Sequence, residues 1–311
     1  MRVVMQAALL SDRGVVKVLG ADARRFLHGL LTTDIEAMTQ ATPRYAALLT
    51  PQGKIVADLL VVQEETPQGP CFLLDCERTL VASLVAKLNF YKLRAKVMIE
   101  DASDAAAVLA LWDERTADAS GAEASIGRAA AAPWFVDPRF APLGFRAIIK
   151  PSLAGAMARE QGAALVDLSA YQAHRVALGV PRGGCDFAYG DAFPHEADMD
   201  QLNGVDFDKG CYVGQEVVSR MQHRANVRSR VVPVRIEGAA PEPGAPVLVG
   251  DKTVGVMGSA ADGRGLALLR LDRVADAMGA GLSLAVGKAS LHPVKPAWAS
   301  FAWPFTEQAA G

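Results

Sequence analysis

The sequence predicts an α+β protein with largely antiparallel sheets, followed by a small all-β unit near the C-terminus. Three observations carry this expectation. Short β-branched runs alternate with amphipathic stretches through the first third of the chain. After about residue 226 the amphipathic stretches give way to strand-length runs punctuated by Gly and Pro. The composition is globular, with 51% hydrophobic and 21% charged residues, and 311 residues accommodate about two ordinary domains.

Taken in order, Val15–Leu19 reads as a strand, and Asp22–Leu31 has apolar residues at helical spacing with Asp22 as its cap or first-turn acid. Tyr45–Leu49 and Ile55–Val62 form a strand pair around the breaker Thr50-Pro51-Gln52-Gly53. Residues 71–74 are a strand, Arg78–Lys92 an amphipathic helix (Leu80, Leu84, Leu88, Tyr91) and Arg94–Ile99 a further strand. The Ala-rich stretch 102–132 holds one good strand, Val108–Trp112. The runs Val231–Ile236, Val247–Val249, Val254–Met257, Leu266–Leu271 and Leu282–Val286 predict a β-barrel or sandwich, with Gly250-Asp251-Lys252 as a hairpin turn. Trp298, Trp303 and Phe305 are expected to dock the tail on the body.

A formal net charge of -2 gives no global pull toward nucleic acid or an acidic membrane. Met1–Gln6 lacks the apolar core of a secretory signal, and no apolar run approaches the ~20 residues that span a bilayer. Cysteines at 71, 76, 185 and 211 do not form a disulfide framework, so the expectation is a reducing, cytoplasmic setting without membrane contact.

The segment Lys209-Gly210-Cys211-Tyr212-Val213-Gly214-Gln215-Glu216 concentrates the chemistry. Two glycines place the thiol on a tight turn, and Gln215–Arg224 reads as a helix with Glu216 in its first turn and Arg220, His223 and Arg224 in its last. A helix N-terminus and the nearby Lys209 both favour a thiolate, the reactive form; the competing reading is a small buried apolar residue. His223 lies twelve residues after Cys211, roughly 15 Å along a helix, too far to share one zinc. Cys71 and Cys76 fall on opposite faces of one strand, where both are expected to be core. No Cys-x-x-Cys pair is present, so a cluster at Cys211 needs an external ligand.

The string Lys-Gly-Cys-Tyr-x-Gly-Gln-Glu resembles the signature of the YgfZ family, relatives of the T-protein (aminomethyltransferase) of the glycine cleavage system. Phe90–Val97, Trp134–Arg139, Leu143–Arg146, Arg175–Pro181 and Pro194–Ala197 resemble that family too, in the same order along the chain. The resemblance implies a T-protein-like three-part fold around a central hole. Residues 1–226 would be the folate-binding region, split into one α+β subdomain of about 1–45 with 134–226 and another of about 46–133. Residues 227–311 would form the antiparallel barrel with its docked tail. It also implies a tetrahydrofolate-binding accessory protein for iron–sulfur cluster assembly or repair, including that of tRNA-modifying radical enzymes, with client or assembly proteins as partners and any tRNA contact indirect.

A folate-dependent one-carbon transferase is the alternative, but of the paired acids the T-protein carries on this strand only Asp58 remains, because Ala57 stands at the first position. The resemblance implies that Asp186 accepts the donor edge of a pterin; a turn residue or cap is its simpler role. Tyr45 and Tyr189 are candidates to stack on the ring. Arg220, His223, Arg224, Arg228, Arg230 and Arg235 accumulate without an acid. They read as a solvated helix end and strand rim, or as a basic mouth, with Arg224 facing the glutamate tail of folate. A tRNA-binding surface is the third alternative, although no aromatic platform accompanies the arginines.

Overall fold

The structure, a computed structural model, describes residues 5–67, 69–113, 133–224 and 227–304. Along the chain the elements are β1 (Met5–Leu9), β2 (Arg13–Leu19), α1 (Ala23–His28), β3 (Arg44–Leu49), β4 (Ile55–Thr66), β5 (Gly69–Glu77), α2 (Val81–Lys92), β6 (Met98–Asp101) and β7 (Ala107–Asp113). There follow β8 (Trp134–Val136), β9 (Phe145–Ile149), α3 (Ala154–Glu160), β10 (Ala164–Leu165), α4 (Leu168–Ala177) and α5 (Gln215–Arg224). The C-terminal part comprises β11 (Ser229–Glu237), β12 (Pro246–Val249), β13 (Lys252–Ala261), β14 (Arg264–Arg270), α6 (Leu271–Gly279), β15 (Leu284–Val286) and β16 (Ala289–Pro293).

These strands build two five-stranded sheets, ordered β10-β1-β7-β9-β8 and β3-β4-β5-β2-β6, and a closed barrel, β11-β14-β13-β12-β15-β16. The alternation of side chains along each strand divides the interior. On β5, Phe72, Leu74 and Cys76 face a core shared with α1 and α2, while Cys71 and Leu73 face a second core against the first sheet. Cys71 and Cys76 thus lie on opposite faces, and burial pushes their thiols up to about 11 and about 12. The same alternation puts Ala57 in the helix-covered core and Leu60 in the interior between the three parts. Asp58 shares the face of Leu60.

The structure redraws several expectations. The division at 45/46 falls inside β3, which pairs along its length with β4, so residues 13–101 supply one sheet and residues 5–9 with 107–165 the other. The helix expected over 22–31 stops at His28, and the Asp22 carboxylate accepts Lys96 N–H instead of capping it. The strand expected from Arg94 begins only at Met98, because Leu93 takes a left-handed φ of 44° and Ala95 and Val97 close turns. α6 interrupts the barrel run and buries Leu271, Val274 and Ala277 against it. Most of the Ala-rich stretch (114–132) and Phe305 lie outside the described residues. Trp298 does dock, its indole N–H donating to Leu178 O at 3.1 Å.

Candidate functional site

The thiol turn is tied to the body from both ends. Upstream, Asp206 N–H donates to Thr32 O at 2.8 Å, and the Asp206 carboxylate accepts Lys209 N–H at 3.1 Å. Lys209 then turns inward, its ammonium donating to His28 O and Leu31 O, both at 2.6 Å, and lying 5.1 Å from the Tyr212 ring centre. Desolvation lowers this ammonium to about 8, against the upward pull of Asp34, Asp206 and Glu36. Lys209 therefore clamps the turn onto the end of α1, where the His28 imidazole approaches Gly210.

Downstream, Gly214 takes a φ of 83°, and a Cβ there would meet Thr50 O at 2.6 Å. Gly53, at φ 80°, faces it across the β3–β4 turn, with its own added Cβ 3.0 Å from Val217. Two glycine turns thus interlock and fix where α5 begins, at Gln215. Between these anchors Cys211 is exposed, whereas Cys71 and Cys76 are buried and Cys185 is half-buried beside Ser259. The buried-apolar reading of Cys211 is excluded.

A second centre lies between the two sheets, where three expected residues meet. The Asp58 carboxylate accepts the Tyr45 hydroxyl at 3.1 Å and the Tyr189 hydroxyl at 2.5 Å. Both phenols are raised above their ordinary range, first by burial and then by Asp58. Stacking on the Tyr45 ring is corrected: the residue is 2% exposed, and the Arg139 guanidinium lies 5.9 Å from its ring centre. Beside this centre runs a buried ion network not anticipated from the sequence. Arg13 donates to Asp75 at 2.5 Å, and Arg146 bridges Asp75 at 2.7 Å and Asp137 at 2.8 Å. Arg139 binds Asp137 through both carboxylate oxygens, and Tyr171 OH accepts from Arg146 at 2.9 Å. Charges placed inside apolar strands, as in Phe72-Leu73-Leu74-Asp75 and Phe145-Arg146-Ala147, were the available signal, because buried charges require partners.

Asp186 is also corrected. Its carboxylate accepts Arg175 Nη1 at 2.8 Å, Arg182 N–H at 2.8 Å and Ser259 N–H at 2.7 Å. With no accessible side-chain surface, it presents nothing to a pterin and instead pins the Gly179–Asp186 loop to β13. The expected basic mouth is dispersed as well. Arg230 is buried in ion pairs with Asp198 and Asp200, and Arg220 pairs with Glu216. Arg235 lies exposed on the barrel. Arg224 ends α5, and its side chain lies outside the described residues. His195 is buried, with Nε2 3.0 Å from Gln222 Oε1. A cavity of about 440 Å³ is lined by Arg44, Arg139, Phe140, Gln201, Asn203 and Trp298 among others.

Comparison with known proteins places this arrangement. Residues 228–301 match the family described as CAF17, C-terminal beta-barrel domain. The chain is 34% identical over 286 residues to the mitochondrial iron–sulfur cluster assembly factor IBA57 of Mus musculus, covering 85% of this chain and 77% of that one. The Homo sapiens protein of the same name is 34% identical over 282 residues with the same coverage. The homologue from Mycosarcoma maydis is 35% identical over 249 residues, but the chain spans only 59% of its length. The fold is that of the glycine cleavage aminomethyltransferase T from Bartonella henselae, with a TM-score of 0.72 at 17% identity, covering 97% of this chain and 88% of that one. The cytoplasmic setting expected above is overturned by these relatives, which are named as mitochondrial proteins. Among the described residues, no helix is long and apolar enough to cross a membrane.

Proposed function

The chain belongs to the family of the iron–sulfur cluster assembly factor IBA57, and from that premise we propose that it assists cluster assembly through the thiol of Cys211. The carrying observation is that Cys211 alone of the four cysteines is exposed, on a turn clamped by Lys209 and locked by Gly214. A rigid, accessible thiol suits a group that meets a cluster, because little further ordering is needed on contact. Among the described residues, no three His, Cys, Asp or Glu side chains gather into a ligand set. A cluster meeting Cys211 therefore draws its other ligands from a partner protein or a small thiol, and it is cargo. Anaerobic reconstitution with ferrous iron, sulfide and glutathione tests this. Wild type and Cys185→Ser should develop sulfur-to-iron charge-transfer absorbance, and Cys211→Ser should not; equal absorbance in all three would refute the reading.

Tetrahydrofolate binding, which the YgfZ resemblance implies, is the second part of the proposal. The cavity of about 440 Å³ falls within the size of small-molecule sites, roughly 300–1,000 Å³. Phe140 and Trp298 offer ring faces to a flat heterocycle, and Arg44 offers a cation to the glutamate carboxylates. Bound folate would supply a one-carbon carrier. In the second reading, a one-carbon transfer, Asp58 is the acid, held in place by the Tyr45 and Tyr189 hydroxyls. Titration with tetrahydrofolate should show saturable binding weakened by Arg44→Glu, whereas transferase turnover would have to disappear in Asp58→Asn.

A further inference from the structure

The corner that joins α2 to β6 has features that the thiol and the cavity lined by Arg44 and Trp298 do not use. Phe90 is 75% exposed, Leu93 is 89% exposed and Met98 is 48% exposed, all between the end of α2 and the start of β6. Leu93 holds a φ of 44°, a conformation that a leucine rarely adopts, and so its side chain is directed outward by a constrained backbone. Cations are interleaved with the apolar residues on the corner itself: Lys92, Arg94 and Lys96. Among the described residues none of these cations makes an ion pair. The nearest acid, Asp22, is engaged with the Lys96 amide, and Glu100 lies farther along β6.

The corner is joined to the thiol turn by one short helix. The residue before α1 binds Lys96 through both its amide and its carboxylate, and the carbonyl of the last residue of α1 accepts the Lys209 ammonium. With six residues, α1 spans about 9 Å, so the corner and the Cys211 turn are held to opposite ends of the same short helix. β6 is also the edge of its sheet.

We propose that this corner is the docking surface for an acidic protein partner whose apolar recess receives Leu93 and Phe90, set so that the partner's cluster ligands meet Cys211. The inference rests on the thiol reading above. Unpaired cations interleaved with exposed apolar side chains match an acidic surface with an apolar centre, the usual arrangement of a rim and a core. A protein also fits better than a lipid surface, because a membrane covering the corner would crowd the thiol turn at the other end of α1.

The test replaces Phe90 with the photo-crosslinker p-benzoylphenylalanine in the full chain, expressed in cells lacking the native protein. Irradiation should yield one discrete adduct with an acidic protein, and the same protein should be trapped as a mixed disulfide through Cys211 when diamide is added as the two-electron oxidant. The combined substitution Leu93→Asp, Arg94→Glu and Lys96→Glu should reduce the Cys211 trap about tenfold or more, with an unchanged melting temperature and an unchanged rate of Cys211 alkylation. Different adducts at the two positions, or an undiminished Cys211 trap in the charge-reversed variant, would overturn the docking surface. So would flotation with phosphatidylserine vesicles that the charge reversal abolishes, since that outcome assigns the corner to a membrane. If Cys211→Ser retains full function while the Phe90 adduct persists, the thiol reading fails and the docking surface stands.

Discussion

Replacing Asp186 by Ala should destabilise the protein rather than disturb a ligand site alone. The carboxylate joins the Gly179–Asp186 loop to the barrel through Arg175, Arg182 N–H and Ser259 N–H. Removing it strands the Arg175 guanidinium, which is 2% exposed. Breaking a buried pair from one side costs about 3–5 kcal/mol, because a charge is left without its partner. Arg175 keeps contacts to Val180 O at 2.6 Å and Ser259 Oγ at 2.7 Å, which places the expected loss near the lower end, about 3 kcal/mol. Arg175→Met combined with Asp186→Leu removes both charges, so the double variant should be more stable than the sum of the single losses by about 2 kcal/mol. Urea unfolding followed by tryptophan fluorescence measures each variant. If Asp186→Ala unfolds within about 0.5 kcal/mol of wild type but no longer binds folate, the structural assignment is wrong and the pterin role returns.

Two further outcomes follow from single positions. Gly214→Ala adds a methyl group at a left-handed φ against Thr50 O, which should cost about 2–4 kcal/mol and slow Cys211-dependent reconstitution. Gly190→Ala, at φ 79° but in open space, should cost only about 1–2 kcal/mol; equal losses in denaturant midpoint would show that the two turns do not interlock. His174 is stacked on Trp112 and lowered to about 4 by burial, from an ordinary 6.5. Between those values the unfolded chain binds a proton that the folded one does not, so stability falls as pH drops from 6.5 toward 4. The full effect is about 3 kcal/mol. His174→Gln should flatten that part of the pH–stability curve, and an unchanged slope would assign the acid sensitivity elsewhere.

The parts legible in the sequence are those where one local pattern dictates one outcome. The strand pair around Pro51 and Gly53, the α2 stripe, the hairpin at Gly250 and the thiol turn all follow from period or turn chemistry. The split of Cys71 and Cys76 between two cores follows from strand alternation alone. What stayed hidden depends on contacts between distant segments. Nothing local to Asp186 announces that Arg175 and Ser259 converge on it, and nothing near Lys209 shows that its ammonium leaves the thiol for the carbonyls of His28 and Leu31. The boundary at 45/46 failed for the same reason, since β3 belongs with β4 only once the sheet is assembled. Tyr45, Asp58 and Tyr189 were each expected at the site. Their common hydrogen-bonded centre required the fold.

The central claim is that the exposed thiol of Cys211, and no other cysteine, carries the contribution to cluster assembly. Its most direct test is iron–sulfur enzyme activity in cells lacking the native protein and supplied with wild type, Cys211→Ser or Cys185→Ser at matched levels. Cys185→Ser should restore activity as wild type does, while Cys211→Ser should fold normally and fail. Full restoration by Cys211→Ser would contradict the account.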